Sequence, residues 1–314
     1  MCSSRLSDKP FKDPDTKREI QSLLGNDDRT ELEARLRHRM SFGTAGLRAR
    51  MGAGYSRMNC LTVIQTSQGL AQYIRNLDKP SVNKSVVIGY DVRKNSKQFA
   101  ELAATAFIKK SFKVFFYEDY VHTPLVPFAV KLLGAAAGVM VTASHNPAHD
   151  NGYKVYWGPL GCQMNSPHDV GIAKSILHDD SLKPISWNTM DLLTDPNLKV
   201  VMAHVFENYY EAVYRLAKWP EHVRAHTRFI YTPIHGTGLV FMRELAQRLG
   251  YYDDMVVVEA QVLWIALYLT VADLISIHCR PIQMQTFQQS SIRIQRRLVL
   301  LIWHLPQQIE TTLI

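Results

Sequence analysis

Apolar and polar positions along the first two thirds of the chain switch repeatedly between two periods. Segments with apolar residues three or four positions apart predict amphipathic helices. Short continuous apolar runs rich in β-branched residues predict buried strands. These segments alternate in the order helix 60–77, strand 85–91, helix 95–110, strand 112–117, helix 123–134 and strand 136–144.

Two details of the helices follow from the same pattern. Dense mixed charge over roughly 14–40 predicts a helical start to the chain. Asn95 or Ser96 is the expected cap of the helix over 95–110, because short polar side chains satisfy the free N–H groups there. The side chains of that helix expected to be buried are Phe99, Leu102, Ala106 and Phe107.

Alternating strands and helices predict an α/β fold with a mixed, mostly parallel sheet sandwiched by helices. In such sheets ligand chemistry collects just beyond the carboxyl ends of the strands. Ser144 stands at that place, directly after the strand over 136–144.

The same reasoning divides the chain into four parts. A second α/β unit begins near residue 200, with a predicted strand and glycine turn near 228–238 and a strand near 255–260. The predicted parts are a helical lead-in at 1–40, a first domain at 41–199, an incomplete second domain at 200–261, and an aberrant tail at 262–314.

Composition narrows the function classes. The formal net charge is +8, but the basic residues are spread along the chain with no block of five or six, which argues against a nucleic-acid-binding arm. The four cysteines have neither metal-ligand nor disulfide-framework spacing, and the polar N-terminus is not a signal peptide. A reduced, cytoplasmic protein that acts on small molecules, with no nucleic-acid or membrane partner, is the expectation.

Residues 139–158, VMVTASHNPAHDNGYKVYWG, carry the candidate chemistry. The strand presents the Ser144 hydroxyl on an exposed loop, where His145 can exchange a proton with it. Lys154 follows a turn predicted at Asn151-Gly152 and is a candidate acid, base or phosphate partner. The residues alone also allow a plain loop serine, since no nucleophile elbow surrounds Ser144.

The segment TASHNPAHDNGYK resembles the phosphoserine loop of the α-D-phosphohexomutases, in the branch of the phosphopentomutases and glucose-1,6-bisphosphate synthases. The resemblance extends over about residues 14–261, with one departure in GPLGCQ at 158–163. The other matching motifs are FGTAGLRARMGAGYSRMN at 42–59, TPLVPF at 123–128 and YTPIHGTG at 231–238.

The resemblance implies a phosphosugar mutase that works through a phosphoserine and a sugar bisphosphate. Ser144 would carry the phosphoryl group, and His145 and Lys154 would handle protons. Glucose 1,6-bisphosphate would be the activator, and Mg²⁺ would bind the phosphate on Ser144 together with three family aspartates that this chain lacks. Phosphate ligands implied by the resemblance are Arg48, Thr44, Asn146 and Arg93.

A purely structural role stays open at two of these positions. Arg48 is also compatible with a solvated loop arginine, and Arg93 with a residue that only caps or pairs locally. His235 is more consistent with a residue that shapes the glycine turn of the second domain than with a substrate ligand. For the whole chain, a non-catalytic remnant that binds phosphosugar or a protein partner is the alternative to a mutase.

The last 53 residues break with the pattern before them. They contain no glycine, lysine or asparagine, but seven glutamines. A tail anchor is disfavoured by the short apolar run and Asp273 inside it, and a buried strand-helix pair by the lack of glycine turns. Read one nucleotide out of phase, degenerate codons for 281–312 permit a string close to the family's continuation. The hypothesis is therefore a displaced reading frame, and the expectation is a chain without mutase turnover.

Overall fold

The computed structural model describes residues 13–44, 46–77, 84–185, 187–217 and 228–262. The first twelve residues of the predicted lead-in and all of the predicted tail after Val262 lie outside these ranges. The frame-shift and tail-anchor hypotheses therefore concern residues that the structure does not describe.

Helices and strands alternate in the order predicted. The α-helices are α1 (Pro14–Gly25), α2 (Arg29–Leu36), α3 (Cys60–Asn76), α4 (Ser96–Lys109), α5 (Leu125–Leu133), α6 (His168–Ile176), α7 (Asp179–Leu182), α8 (Met202–Leu216) and α9 (Gly238–Leu249). The strands are β1 (Leu47–Arg50), β2 (Ser85–Tyr90), β3 (Lys113–Phe116), β4 (Ala137–Val141), β5 (Asp150–Trp157), β6 (Cys162–Gln163), β7 (Leu198–Val200), β8 (Phe229–Tyr231) and β9 (Met255–Val257).

The main sheet is mixed, as predicted. Its strand order is β1-β5-β4-β2-β3-β7, with β6 also paired to β5. Strands β4, β2, β3 and β7 are parallel, because a helix or a longer connection separates each from the next. Strand β5 returns antiparallel to β4 after a short loop, and β1 and β6 pair antiparallel with it. The short return places the loop over 142–150, which includes the first residue of β5, at the carboxyl edge of β4.

Successive residues of the central strands bury their side chains on opposite faces of the sheet. Val86 and Ile88 join the core that α3 and α4 cover, whereas Val87 joins the core under α5 and α8. The four side chains predicted to be buried on α4 are all at most 3% exposed, which confirms that prediction: Phe99, Leu102, Ala106 and Phe107.

The second unit is a parallel pair of strands, β8 and β9, joined through α9. Helix α9 also reaches the core under α5 and α8. Phe241 packs there with residues of α8, and the Tyr210 hydroxyl donates to the Phe241 carbonyl at 2.7 Å. The boundary at 199/200 stays a prediction, although β7, which spans it, pairs with β3 in the main sheet. Within the described ranges, no helix is long and apolar enough to cross a membrane.

The predicted helical start over roughly 14–40 consists of two helices. They are interrupted after Gly25, and Asp28 caps the second by accepting from the Glu31 N–H at 3.1 Å. Asn95 occupies the N-cap position of α4, as predicted, but the expected side-chain cap bond is absent among the described residues. Asn95 lies in the left-handed region, and Ser96 donates instead to the carboxylate of Asp91.

The turn predicted at Asn151-Gly152 was wrong, since both residues lie inside β5. The Asn151 side chain is fully buried, and its amide donates to the Ser96 hydroxyl at 3.0 Å and the Lys94 carbonyl at 3.2 Å. A Cβ on Gly152 would lie 2.6 Å from the Thr142 carbonyl oxygen and 2.8 Å from that of Leu47. Glycine is therefore needed at 152 because two backbones approach it, and not because the chain turns.

We expect Gly152→Ala to destabilise the fold by about 3 kcal/mol, because the methyl group must push backbone atoms apart. Urea unfolding followed by circular dichroism measures this. Gly25→Ala is the matched control, since a Cβ there meets nothing within 4 Å. Equal unfolding midpoints for the two variants would contradict the close-approach argument.

His122 packs between α8 and α9, with its ring centroid 4.0 Å from that of Phe241 and 5.5 Å from that of Tyr209. Its buried Nδ1 has no hydrogen-bond partner among the described residues. Burial lowers the pKa of His122 from 6.5 to about 4, so the folded protein holds the neutral ring.

Because its pKa is depressed in the folded state, His122 should cost the protein stability as pH falls from 6.5 towards 4. The loss is at most about 3 kcal/mol, and His122→Phe should remove it. Urea midpoints of wild type and variant at pH 7 and pH 4.5 measure the difference, with His204→Gln on exposed α8 surface as control. Parallel pH dependences of wild type and His122→Phe would refute it.

Candidate functional site

Ser144 lies on the loop that leaves the carboxyl end of β4. It is exposed, has a positive φ of 59°, and its hydroxyl forms no hydrogen bond within the described part of the chain. Its own N–H donates to the Thr142 hydroxyl at 2.9 Å, and the Asn146 N–H donates to the Ala143 carbonyl at 3.1 Å, which closes a tight turn. The backbone of Ser144 is thus held while its hydroxyl stays free to react.

Arg93 lies beneath this loop, and its side chain is 11% exposed. Its Nε donates to the Asp91 carboxylate at 3.2 Å. Its two terminal nitrogens donate to four loop carbonyls, at 2.6 to 3.3 Å. Those carbonyls belong to Ser144, Asn146, Pro147 and Asp150.

Asp91 follows β2 and anchors this arrangement. Its carboxylate accepts from the Arg93 N–H at 3.0 Å, from the Arg93 Nε and from the Ser96 hydroxyl at 2.6 Å. Ser96 in turn accepts from the buried Asn151 amide. A continuous polar network therefore joins the end of β2 and the starts of β5 and α4 to the loop.

Arg48 approaches the loop from β1. It is exposed, and its Nη1 donates to the Asn146 Oδ1 at 3.0 Å. The Asn146 amide donates onward to the Asp150 carboxylate at 2.9 Å. Four of the five N–H donors of Arg48 form no hydrogen bond with the described residues, so this guanidinium is available to an anion.

Lys154 of β5 is half-buried and forms no ion pair or hydrogen bond with the described residues through its side chain. Burial is the main cause that lowers the pKa of Lys154, and the positive charges of Arg48 and Arg93 lower that pKa further. The Asp91 carboxylate opposes these effects. The loop therefore lies beside an incompletely balanced positive charge, which favours binding of a phosphate group.

The structure brings five of the seven predicted site residues together: Ser144, Arg93, Arg48, Asn146 and Lys154. His145 and Thr44 are both exposed, and no hydrogen bond between described residues joins either side chain to the site. The Thr44 carbonyl accepts from the Gln163 amide at 3.0 Å. The prediction from sequence missed Asp91, Thr142 and Asn151; only the position of Asp91 at a strand end, two residues before an arginine, hinted at its role.

The described residues do not fit the magnesium set that the resemblance implies. Within them, no three His, Cys, Asp or Glu side chains are grouped so as to hold a metal ion. Both carboxylates next to the loop are already engaged, Asp91 by Arg93 and Ser96, and Asp150 by Asn146 and His149. Ser144 is the remaining oxygen ligand there, and one hydroxyl is too few for Mg²⁺.

Residues 39–183 match the profile of the α/β/α domain I of phosphoglucomutase/phosphomannomutase. The chain is 44% identical over 264 residues to a probable phosphoribomutase of Schizosaccharomyces pombe. The aligned region covers 82% of this chain and 44% of that protein. It is 38% identical over 257 residues to the glucose 1,6-bisphosphate synthase of Homo sapiens, covering 79% and 41% respectively. The chain thus spans less than half the length of these relatives.

Among solved structures, the chain is similar to a putative phosphomannomutase from Thermus thermophilus. The TM-score is 0.54 at 21% identity, over 70% of this chain and 46% of the other. This likeness supports the mixed α/β architecture described above.

Lys154→Met should stabilise the unmodified protein near neutral pH, because it removes a half-buried cation next to two arginines. Since the pKa of Lys154 is lowered in the folded state, the wild type carries this cost below that pKa and loses it as pH rises towards the unfolded value. The stability gain of the variant should accordingly shrink towards pH 10.

Differential scanning fluorimetry at pH 7 and pH 9.5 measures this difference in Tm. Lys199→Met is the matched control, because Lys199 is exposed on β7. A Tm of Lys154→Met at or below that of the wild type at pH 7 would disprove the expected charge cost.

Proposed function

The chain belongs to the phosphoglucomutase/phosphomannomutase family, and from that premise we propose that Ser144 accepts and donates a phosphoryl group in a phosphosugar mutase reaction. One observation carries the proposal: a free, exposed serine hydroxyl on a backbone held by Arg93, beside the available cation Arg48 and the half-buried Lys154. Phosphoryl transfer depends mainly on positioning and on neutralising charge, and these residues supply both.

The first half of the reaction starts from phosphorylated Ser144. A hydroxyl oxygen of the sugar monophosphate attacks the phosphorus, the bond between phosphorus and the Ser144 Oγ breaks, and the sugar hydroxyl proton passes to Oγ through a base. The product is a sugar bisphosphate. In the second half, the Ser144 Oγ attacks the other phosphate of that bisphosphate, and the bond from phosphorus to the sugar oxygen breaks. The serine proton ends on that sugar oxygen, so the net change is an isomerisation.

Lys154 is the candidate for moving these protons, because its lowered pKa raises its neutral fraction at a given pH. His145, exposed next to the serine, is the other candidate. Phosphorylation adds nearly two negative charges to Ser144, and Arg48 would offset them with its available donors. Asn146 holds Arg48 in place, and Thr44 remains a phosphate ligand predicted from the resemblance alone.

The proposed substrates are hexose and pentose monophosphates: glucose 1-phosphate and 6-phosphate, and ribose or deoxyribose 1-phosphate and 5-phosphate. The relatives' names, phosphoribomutase and glucose 1,6-bisphosphate synthase, support this range. Glucose 1,6-bisphosphate is the proposed phosphoryl donor. Mg²⁺ stays a prediction from the resemblance, and no step above depends on it.

Incubation of the purified chain with ³²P-labelled glucose 1,6-bisphosphate should place one label on Ser144, identified by mass spectrometry of the peptide over 142–154. Ser144→Ala should lose the label entirely, because the acceptor oxygen is gone. Ser166→Ala, at an exposed serine whose hydroxyl donates to Asp169, is the matched control and should label normally.

The outcomes separate the candidate functions. Label on Ser144 with interconversion of sugar phosphates supports the mutase, and label without interconversion supports the phosphoryl-acceptor half alone. Binding of the bisphosphate by calorimetry with no label would favour a non-catalytic phosphosugar-binding protein. Label that persists in Ser144→Ala would overturn the assignment of the serine.

A further inference from the structure

We propose that Arg93 is a positioning residue for Ser144 and not a ligand of the substrate phosphate. Its guanidinium holds the loop backbone that presents the serine hydroxyl, and it does so before any phosphate arrives. The catalytic consequence rests on the function proposed above, whereas the structural consequence can be tested without it.

The hydrogen bonds of Arg93 leave it no donor for a phosphate. A guanidinium has five N–H donors in a rigid fork. Nε is used by Asp91, Nη1 by the carbonyls of Pro147 and Asp150, and Nη2 by those of Ser144 and Asn146. A phosphate could gain a hydrogen bond from Arg93 only if a loop carbonyl lost one.

Arg48 shows the opposite arrangement. It is exposed, and among the described residues its side chain makes a single hydrogen bond, to Asn146, which leaves four donors unused there. Arg93 is 11% exposed and its partner Asp91 is 13% exposed. The two arginines near Ser144 therefore have different roles: Arg48 is available to bind a phosphate, whereas Arg93 binds the loop backbone.

The loop needs such a residue because its backbone is arranged unfavourably in isolation. Ser144 has a φ of 59°, a left-handed conformation that is unfavourable for a residue with a side chain. Four carbonyl oxygens of the loop also converge on one point, where they would repel each other without a cation between them. The guanidinium satisfies all four, so the same group stabilises the turn and sets the direction of the Ser144 side chain.

Arg93→Lys tests this difference in roles. Lysine keeps the charge but offers three donors without the planar fork, so it cannot serve five oxygens. We expect the amide order parameters of residues 144–146, measured by ¹⁵N relaxation, to fall from about 0.85 to below about 0.6. We expect the maximal rate of Ser144 labelling by glucose 1,6-bisphosphate to fall by about tenfold to hundredfold, with the half-saturating concentration unchanged.

Three further variants make the result specific. Asp91→Asn, which weakens the anchor of Arg93 but keeps the arginine, should show a smaller effect of the same kind and serves if Arg93→Lys does not fold. Arg48→Lys should raise the half-saturating concentration while the 144–146 order parameters stay rigid. Arg50→Lys, at an exposed arginine whose side chain makes no hydrogen bond within the described residues, should change neither quantity.

Each result decides the proposal. A raised half-saturating concentration in Arg93→Lys with an unchanged maximal rate and a rigid loop would make Arg93 a phosphate ligand and overturn the positioning role. Unchanged relaxation and unchanged labelling would also overturn it. If the wild type takes no label, the proposed mutase function fails, but the order parameters of Arg93→Lys and Asp91→Asn still decide whether Arg93 holds the loop.

Discussion

The convergence of four loop carbonyls on one buried guanidinium is the constraint on which the site depends. It requires the ends of β2 and β4 to be neighbours, because Arg93 follows one strand and the loop follows the other. Parallel pairing provides this: Tyr90 lies opposite Val141, and the Asp91 N–H donates to the Val141 carbonyl at 3.1 Å. The carboxyl edge of a parallel sheet thus brings together groups that are about fifty residues apart in the chain.

Other parts of the first domain support the carboxyl edge of the sheet, although they lie outside the polar network around Arg93 and Asp91. The Glu19 carboxylate of α1 pairs with Arg35 of α2 and accepts the Ala53 N–H at 2.7 Å, which fastens the segment after β1. In that segment the Met51 N–H donates to the His149 carbonyl at 2.8 Å, so it borders the far side of the serine loop. The two helices at the start of the described chain therefore brace the site through the segment after β1.

Local patterns predicted the helices and strands. The predictions that were wrong concern residues whose environment is set by contacts with distant parts of the chain. Periodicity was sufficient for α4 and for the position of Ser144, because burial of a helix face and the end of a strand are local properties. Asn151-Gly152 has the composition of a turn, but Asn151 is fixed by Ser96, 55 residues away, and Gly152 by a backbone clash that no local pattern reveals. The two readings of Arg93 could not be separated from sequence, because only distances show that its donors are occupied.

The charges at the site also lower the stability of the protein when Ser144 carries no phosphate. Lys154 is half-buried near Arg48 and Arg93, and burial and repulsion act on it in the same direction. A phosphoryl group on Ser144 would reverse the balance, since its negative charges would compensate the positive charges of Lys154 and Arg48. Cations that lower the stability of the protein without an anion also favour the binding of an anion. This is the exchange of stability for binding that is common at functional sites. The Arg93 guanidinium is bound to the loop backbone, so the charge cost of the site falls on Lys154, the half-buried cation that a phosphate on Ser144 would stabilise.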